Sequence, residues 1–253
     1  MRREWPISVA VLVALLALWE TASRTGLVHE FILPAPSLVA GALARLTTAG
    51  FFVEHLAVTL YETLAGFVIG CGLAFAAGVL MHAFPTVNRV VYPYVVVFQV
   101  VPKVALAPIF VTWFGFGLTS KVVMAATISF FPTLVNTIVG LGAVEEEALL
   151  LFRSLVVRRH QAFFKLALPS ALPYVFAGLK TSLTFAFIGA IVGEFVGANQ
   201  GIGQLVETYN FQLDIPMVFA LIVVLSVVGL ALYLAFEYVD RRVVFWRDPE
   251  MRY

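Results

Sequence analysis

Long apolar runs separated by short polar stretches dominate this chain, and their lengths approach those of bilayer crossings. A helix needs about 20 apolar residues to span the hydrocarbon core. Six runs come near that length: residues 6–23, 63–82, 90–114, 120–142, 174–196 and 216–238. The stretch 33–46 predicts an amphipathic interfacial helix, with Pro36 suited to its first turn and Arg45 too polar for lipid. One polar segment stands apart, residues 145–173, EEEALLLFRSLVVRRHQAFFKLALPSALP. Its periodicity is helical, but it is too charged to cross. Leu149, Phe152, Val156 and, after a turn, Phe163 and Phe164 form an expected apolar face. Arg153, Arg158, Arg159 and Lys165 form a basic one. Pro169 and Pro173 are expected to punctuate the start of the fifth run.

Composition agrees with the pattern. Hydrophobic residues make up 61% of the 253 positions and charged residues 12%, against about 25% charge in a soluble domain. One soluble core cannot hide that much apolar surface, so the chain reads as an all-α integral membrane protein, a single domain over 1–253. Within it, 1–62 holds the first span and interfacial helix, 63–242 the core, and 243–253 a tail. The net charge of +1 gives no reason to expect a nucleic-acid partner. Cys71, the only cysteine, excludes a disulfide framework. The start, MRREW and an apolar run, is like a signal peptide but lacks a small-residue cleavage site, which favours an uncleaved first span.

Positive charge orients the spans. Arg2, Arg3, Arg89, Arg153, Arg158, Arg159, Lys165, Arg241, Arg242 and Arg247 fall on one side, expected to be cytoplasmic with both termini. The opposite loops are assigned Arg24, Arg45 and Lys121.

Two stripes of small residues recur every four positions: Gly66, Gly70, Ala74 and Gly78, then Gly189, Gly193 and Gly197. Such stripes let helices pack closely, and they also suit surfaces that slide. The third run contains Pro93, Pro102 and Pro108, with Gln99 and Lys103 at the expected break. A lysine at that depth costs at least about 2.5 kcal/mol unless paired or hydrated. Lys103 is therefore either a structural partner of Glu194 or Glu62, or part of a solute pathway. Ser129, Asn136, Thr181, Ser182, Thr184 and Glu194 are further pathway candidates, although isolated Ser and Thr usually bond their own backbone. Glu194 also lies beside the glycine-rich loop 197–203, an expected hinge at an outer gate. Phe98, Phe130, Phe131, Phe185 and Phe187 would suit a flat, ring-bearing solute.

No catalytic constellation accompanies these features. GFGLTSK at 115–121 fails phosphate-loop spacing, and His29, His55, His82 and His160 lack metal-site spacing. The expectation is a transporter that is not itself an enzyme. From the residues alone, segment 145–173 is open between a helix lying on anionic lipid and one docked in a protein groove.

The segment resembles the loop of binding-protein-dependent ABC importer permeases, whose motif is EAA, three residues, Gly, nine residues, then I-x-L-P. Leu166, Ala167, Leu168 and Pro169 match its end. Counting back, Leu150, Leu151 and Phe152 stand at the EAA positions and Val156 at the glycine. Leu150 cannot make the family glutamate's ion pair, for which Glu145, Glu146 and Glu147 lie one turn upstream. Val156 lacks glycine's tolerance of positive φ, so a different turn is expected there.

The resemblance continues through LPAPS (33–37), His55, Thr59 and Thr63, VPKVALAPIFVTWFGFG (101–117), FFPTLVNTIVGL (130–141), LPYVFAGLK (172–180), IGAIVGEFVGANQGIGQLV (188–206) and Trp246. It is closest to the nitrate, sulfonate, taurine and bicarbonate branch, with its thiamine-precursor and riboflavin permeases. It implies a type I importer permease fold of about six spans in a bacterial inner membrane. It also implies three kinds of partner: a second copy of the chain, a cytoplasmic ABC ATPase dimer that carries the ATP and Mg, and a periplasmic solute-binding protein. No cofactor is expected in this chain. Coupling to the ATPase would fall on Glu147, Leu150, Phe152, Arg153, Val156, Arg158, Leu168 and Pro169. The alternative is a stand-alone secondary transporter or channel.

Overall fold

A computed structural model describes residues 5–246. Arg2, Arg3 and Arg247 lie outside the described residues, as does the side chain of Arg153. Among the described residues every regular element is helical. The α-helices are α1 (Trp5–Arg24), α2 (Pro36–Thr48), α3 (Phe52–Ala83), α4 (Pro85–Val100), α5 (Ala107–Phe114), α6 (Leu118–Gly142), α7 (Glu146–Ser154), α8 (Arg159–Ala162), α9 (Leu168–Gly197), α10 (Ile202–Phe211) and α11 (Ile215–Val243). A 3-10 turn, Lys103–Leu106, precedes α5, and a π-turn, Phe163–Ala167, precedes α9.

Five helical stretches are long and apolar enough to cross a bilayer. A sixth crossing forms if α4 and the segment Lys103–Phe114, bent by 84°, count as one. The expected all-α, multi-span fold is therefore present. Pro36 sits in the first turn of α2 as expected.

Three expectations about boundaries are corrected. First, α3 starts at Phe52 rather than at 63. Its first turns carry Glu54, His55, Thr59 and Glu62, which hydropathy reads as loop; Thr59 and Glu62 are buried against protein, not lipid. Second, only one of the three prolines of the third run marks the break. Pro93 lies inside α4 and Pro108 in the first turn of α5, so the chain turns at Val101 and Pro102. Third, Pro169 and Pro173 interrupt nothing: Arg159–Gly197 is one helical stretch of 39 residues. The π-turn lies just before Pro169, where an α-turn would drive the proline ring against the carbonyl of Lys165.

The described residues divide into two units. The first draws on Met1–Val58 and Gln200–Val228. Its core joins Val39, Ala42 and Leu46 of α2 to Ile202 and Leu205 of α10 and to Ala220 and Leu221 of α11. Glu20 ties α1 to α2 by accepting the backbone N–H of Ser37 at 3.0 Å and its hydroxyl at 2.7 Å.

The second unit, Thr59–Asn199 and Gly229–Tyr253, centres on α6. Close approach on both flanks of α6 depends on missing side chains. A Cβ on Gly66 would strike Ala125, and one on Gly70 would lie 2.5 Å from Ser129 Oγ. On the other flank, a Cβ on Gly178 would lie 2.6 Å from Asn136, and one on Gly189 2.9 Å from Ala125. The two small-residue stripes thus sandwich α6 between α3 and α9. Without a hydrophobic drive inside lipid, this contact area is what holds the helices together.

Candidate functional site

The segment between α6 and α9 folds back at a tight turn. Its first helix, α7, ends as the N–H of Val157 bonds to the carbonyl of Phe152 at 3.2 Å. Val156 at that turn has φ 56. The turn is therefore left-handed even though a β-branched residue occupies it, against expectation. Such a residue in this conformation is strained by about 1–2 kcal/mol. The next helix starts with the N–H of Arg158 bonded to Gln161 Oε1 at 3.3 Å.

The left-handed turn also rearranges the expected apolar face. Leu149, Phe152 and Phe163 are half-buried, and Phe163 packs beside Leu141, Ala167, Ala171 and Val175. Val156 leaves that face at 87% exposure, because the turn swings it out of helical register, and Phe164 leaves it too. The outer surface carries Glu147, Leu150, Leu151, Leu155, Val156 and Arg158. Leu168 and Pro169 are half-buried and begin α9. Behind α7 a cavity of about 530 Å³ is lined by Ala143, Glu145, Ala148, Leu166, Ser170 and Tyr174.

The candidate pathway residues separate into two groups. Gln99, Thr181 and Thr184 are exposed and Lys103 is half-buried. Ser129 and Glu194 are fully buried between helices, and Asn136 is half-buried, its amide donating to the Pro132 carbonyl at 2.8 Å. Lys103 pairs with neither Glu62 nor Glu194. Its ammonium donates to the Gln99 carbonyl at 2.9 Å and lies 4.6 Å from the ring centre of Phe131. That carbonyl is one that the end of α4 leaves open, so Lys103 caps the helix from beyond it. Thr181 bonds its own backbone, at Ala177, as isolated threonines do. Ser182 does not: it accepts or donates with Thr133 at 2.8 Å and donates to the Ser129 carbonyl at 2.7 Å, joining α9 to α6.

The largest departure concerns Lys121. Counted among the loop charges although the fourth run starts at 120, it lies in the first turn of α6 and is 1% exposed. It interacts electrostatically with Glu62 and Glu194, both also buried. Thr59 donates to Glu194 at 2.6 Å. Sequence reasoning missed this grouping, yet a signal was present. Glu62 continues the stripe of Gly66, Gly70, Ala74 and Gly78 at the same four-residue interval, and Lys121 stands four before Ala125. A polar residue in register with a packing stripe faces protein, not lipid.

Residues 66–245 match the family described as binding-protein-dependent transport system inner membrane component. The formylaminopyrimidine transport permease protein ThiX of Halalkalibacterium halodurans is 36% identical over 93% of this chain and 94% of its own. The riboflavin transport system permease protein RibX of Chloroflexus aurantiacus is 34% identical over 97% and 92%. The taurine transport system permease protein TauC of Escherichia coli is 27% identical over 97% and 91%. Among solved structures, a chain of the MetNI methionine ABC transporter aligns with a TM-score of 0.67 at 20% identity, covering 76% of this chain and 96% of that one. At that identity the likeness speaks for the fold, that of a type I importer permease.

Proposed function

Because the chain belongs to the family of binding-protein-dependent transport system inner membrane components, we propose that it is the permease subunit of an ATP-driven importer working with three partners. A second copy completes the channel. An ATPase dimer, carrying ATP and Mg, docks on the α7–α8 face, which is then cytoplasmic together with both termini. A solute-binding protein delivers cargo at the opposite face. ATP closure moves the α7–α8 segments, α9 carries that motion into the bundle, and the pathway switches its opening.

One observation carries this reading. A charged, short-helix segment with a strained left-handed turn presents Glu147, Leu150, Val156 and Arg158 outward, while Phe163 anchors its base in the core. Strain at an exposed turn is tolerated where the surroundings fix it and tends to mark a functional contact. Lys103, Gln99, Asn136, Thr181 and Thr184 are the proposed pathway contacts. For the cargo, the relatives above 30% identity favour a small heteroaromatic nutrient over a sulfonate.

Co-expression with an ABC ATPase from the same genome tests the reading. The expected result is a co-purifying complex whose ATP hydrolysis drives uptake in proteoliposomes. Replacing Phe152 and Arg153 together should separate hydrolysis from uptake by at least tenfold. Uptake by the chain alone without ATP would instead support a secondary transporter or channel.

A further inference from the structure

At the end of α6 remote from α7, four polar side chains from three helices meet inside the second unit: Thr59 and Glu62 of α3, Lys121 of α6 and Glu194 of α9. None is more than 1% exposed. The coupling surface does not use them, and neither does any proposed solute contact except through Glu194. Burying charges in a bundle is expensive unless they are paired and hydrogen-bonded, so the grouping needs a reason.

Its bonds all run between helices or to a helix end. The Lys121 ammonium donates to the Phe116 carbonyl at 2.7 Å and to the Gly197 carbonyl. Gly197 is the last residue of α9, where the helix dipole concentrates partial negative charge. It has φ 157, a conformation other residues rarely adopt, and the Phe116 ring lies 2.7 Å from where its Cβ would be. Thr59 reaches from α3 to Glu194 on α9, and Glu62 on α3 lies near enough to interact with the same carboxyl group. The second oxygen of Glu62 has no partner among the described residues.

Most of the rest of the interface is different in kind. Glycine and alanine contacts along α3, α6 and α9 are dispersive and have no direction. They hold the helices close but resist sliding weakly. Midway along, the neutral groups of Cys71, Thr133 and Ser182 add directional bonds, and at the Lys121 end charged groups do so.

We propose that Lys121, with Glu62 and Glu194, is a positioning element that locks α3, α6 and α9 in one axial register. Motion entering at the α7–α8 segment then reaches the pathway as a joint movement of three helices, not as slippage of one along another. This rests on the ATP-driven reading, so it is tested in two ways.

In the reconstituted complex, Lys121→Met and Glu194→Gln should each lower solute moved per ATP at least tenfold, with hydrolysis within about twofold of the parent. The double variant should assemble as the single variants do, but not recover that ratio. A parental ratio in either single variant or in the double overturns the proposal, and so does a double variant that fails to assemble. In the chain alone, without any ATPase, hydrogen exchange reads the register directly. Lys121→Met should speed exchange at least tenfold in the first turns of α6 and the last turns of α9, and leave the α7 end unchanged. Unchanged exchange at those turns sinks the lock whatever the transport result. A wild-type chain that binds no ATPase bears on the functional reading only.

Discussion

The two ends of α6 solve opposite problems. At the Lys121 end, charges are drawn out of solvent and tied to neighbouring helices. At the Gly142 end, the chain leaves the bundle for a segment whose tip, Val156, is 87% exposed and strained. One end spends its polar groups on internal order, and the other presents them outward. The contrast teaches that charge in an apolar chain cannot be read by type alone. Lys103 and Lys121 are both lysines beside apolar runs, yet one caps a single helix at a bend and the other ties the start of α6 to the end of α9.

This contrast can be broken by substitutions ranked by their effect on folding. Lys121→Met removes the buried ammonium bonded to the Phe116 and Gly197 carbonyls, and should cost about 2–6 kcal/mol, the scale for leaving two buried acceptors unsatisfied. Chemical denaturation in detergent measures it. A loss under about 1 kcal/mol, the scale of an exposed pair, would make the Lys121 end no tighter than the Gly142 end. Gly70→Ala puts a methyl 2.5 Å from Ser129 Oγ and against the Ala126 backbone. It should cost about 1–3 kcal/mol through overpacking, read in the same assay. Lys103→Ala removes a helix-capping hydrogen bond and a ring contact, and should cost about 1 kcal/mol. Uptake should fall while assembly persists, and collapse of the complex would make Lys103 a structural residue and not a pathway one.

The smallest effect has the opposite sign. Val156→Gly relieves about 1–2 kcal/mol of left-handed strain but frees the unfolded chain, so a net gain of about 0.5 kcal/mol is expected. A thermal midpoint that drops would mean that the valine is held by contacts and is not merely exposed.

Much of this architecture was legible in the sequence. Run lengths located the crossings, Pro36 placed the start of α2, and four-residue stripes of glycine identified the interfaces on α6. What escaped did so for physical reasons. Hydropathy counts transfer into lipid, so it moved Thr59 and Glu62 out of the membrane, and the charge count gave Lys121 to a loop; their true surroundings are other helices. Proline rules describe isolated helices, so they placed breaks at Pro93 and Pro169, where the surrounding structure holds a continuous backbone. Glycine preference at a left-handed turn is a matter of a few kcal/mol at most, and the fold at Val156 overrides it. The segment 145–173 stood apart in the sequence; which of its residues face outward depended on that turn.

The uninterrupted stretch from Arg159 to Gly197 has a mechanical corollary. Its 39 residues make a rod about 58 Å long at about 1.5 Å per residue, while the hydrocarbon layer is about 30 Å thick. Nearly half of it therefore extends past the lipid. A tilt of one degree about one tip carries the other through about 1 Å by that length. Small angular changes at the Arg159 end thus become displacements close to an atom's radius at the other side of the membrane.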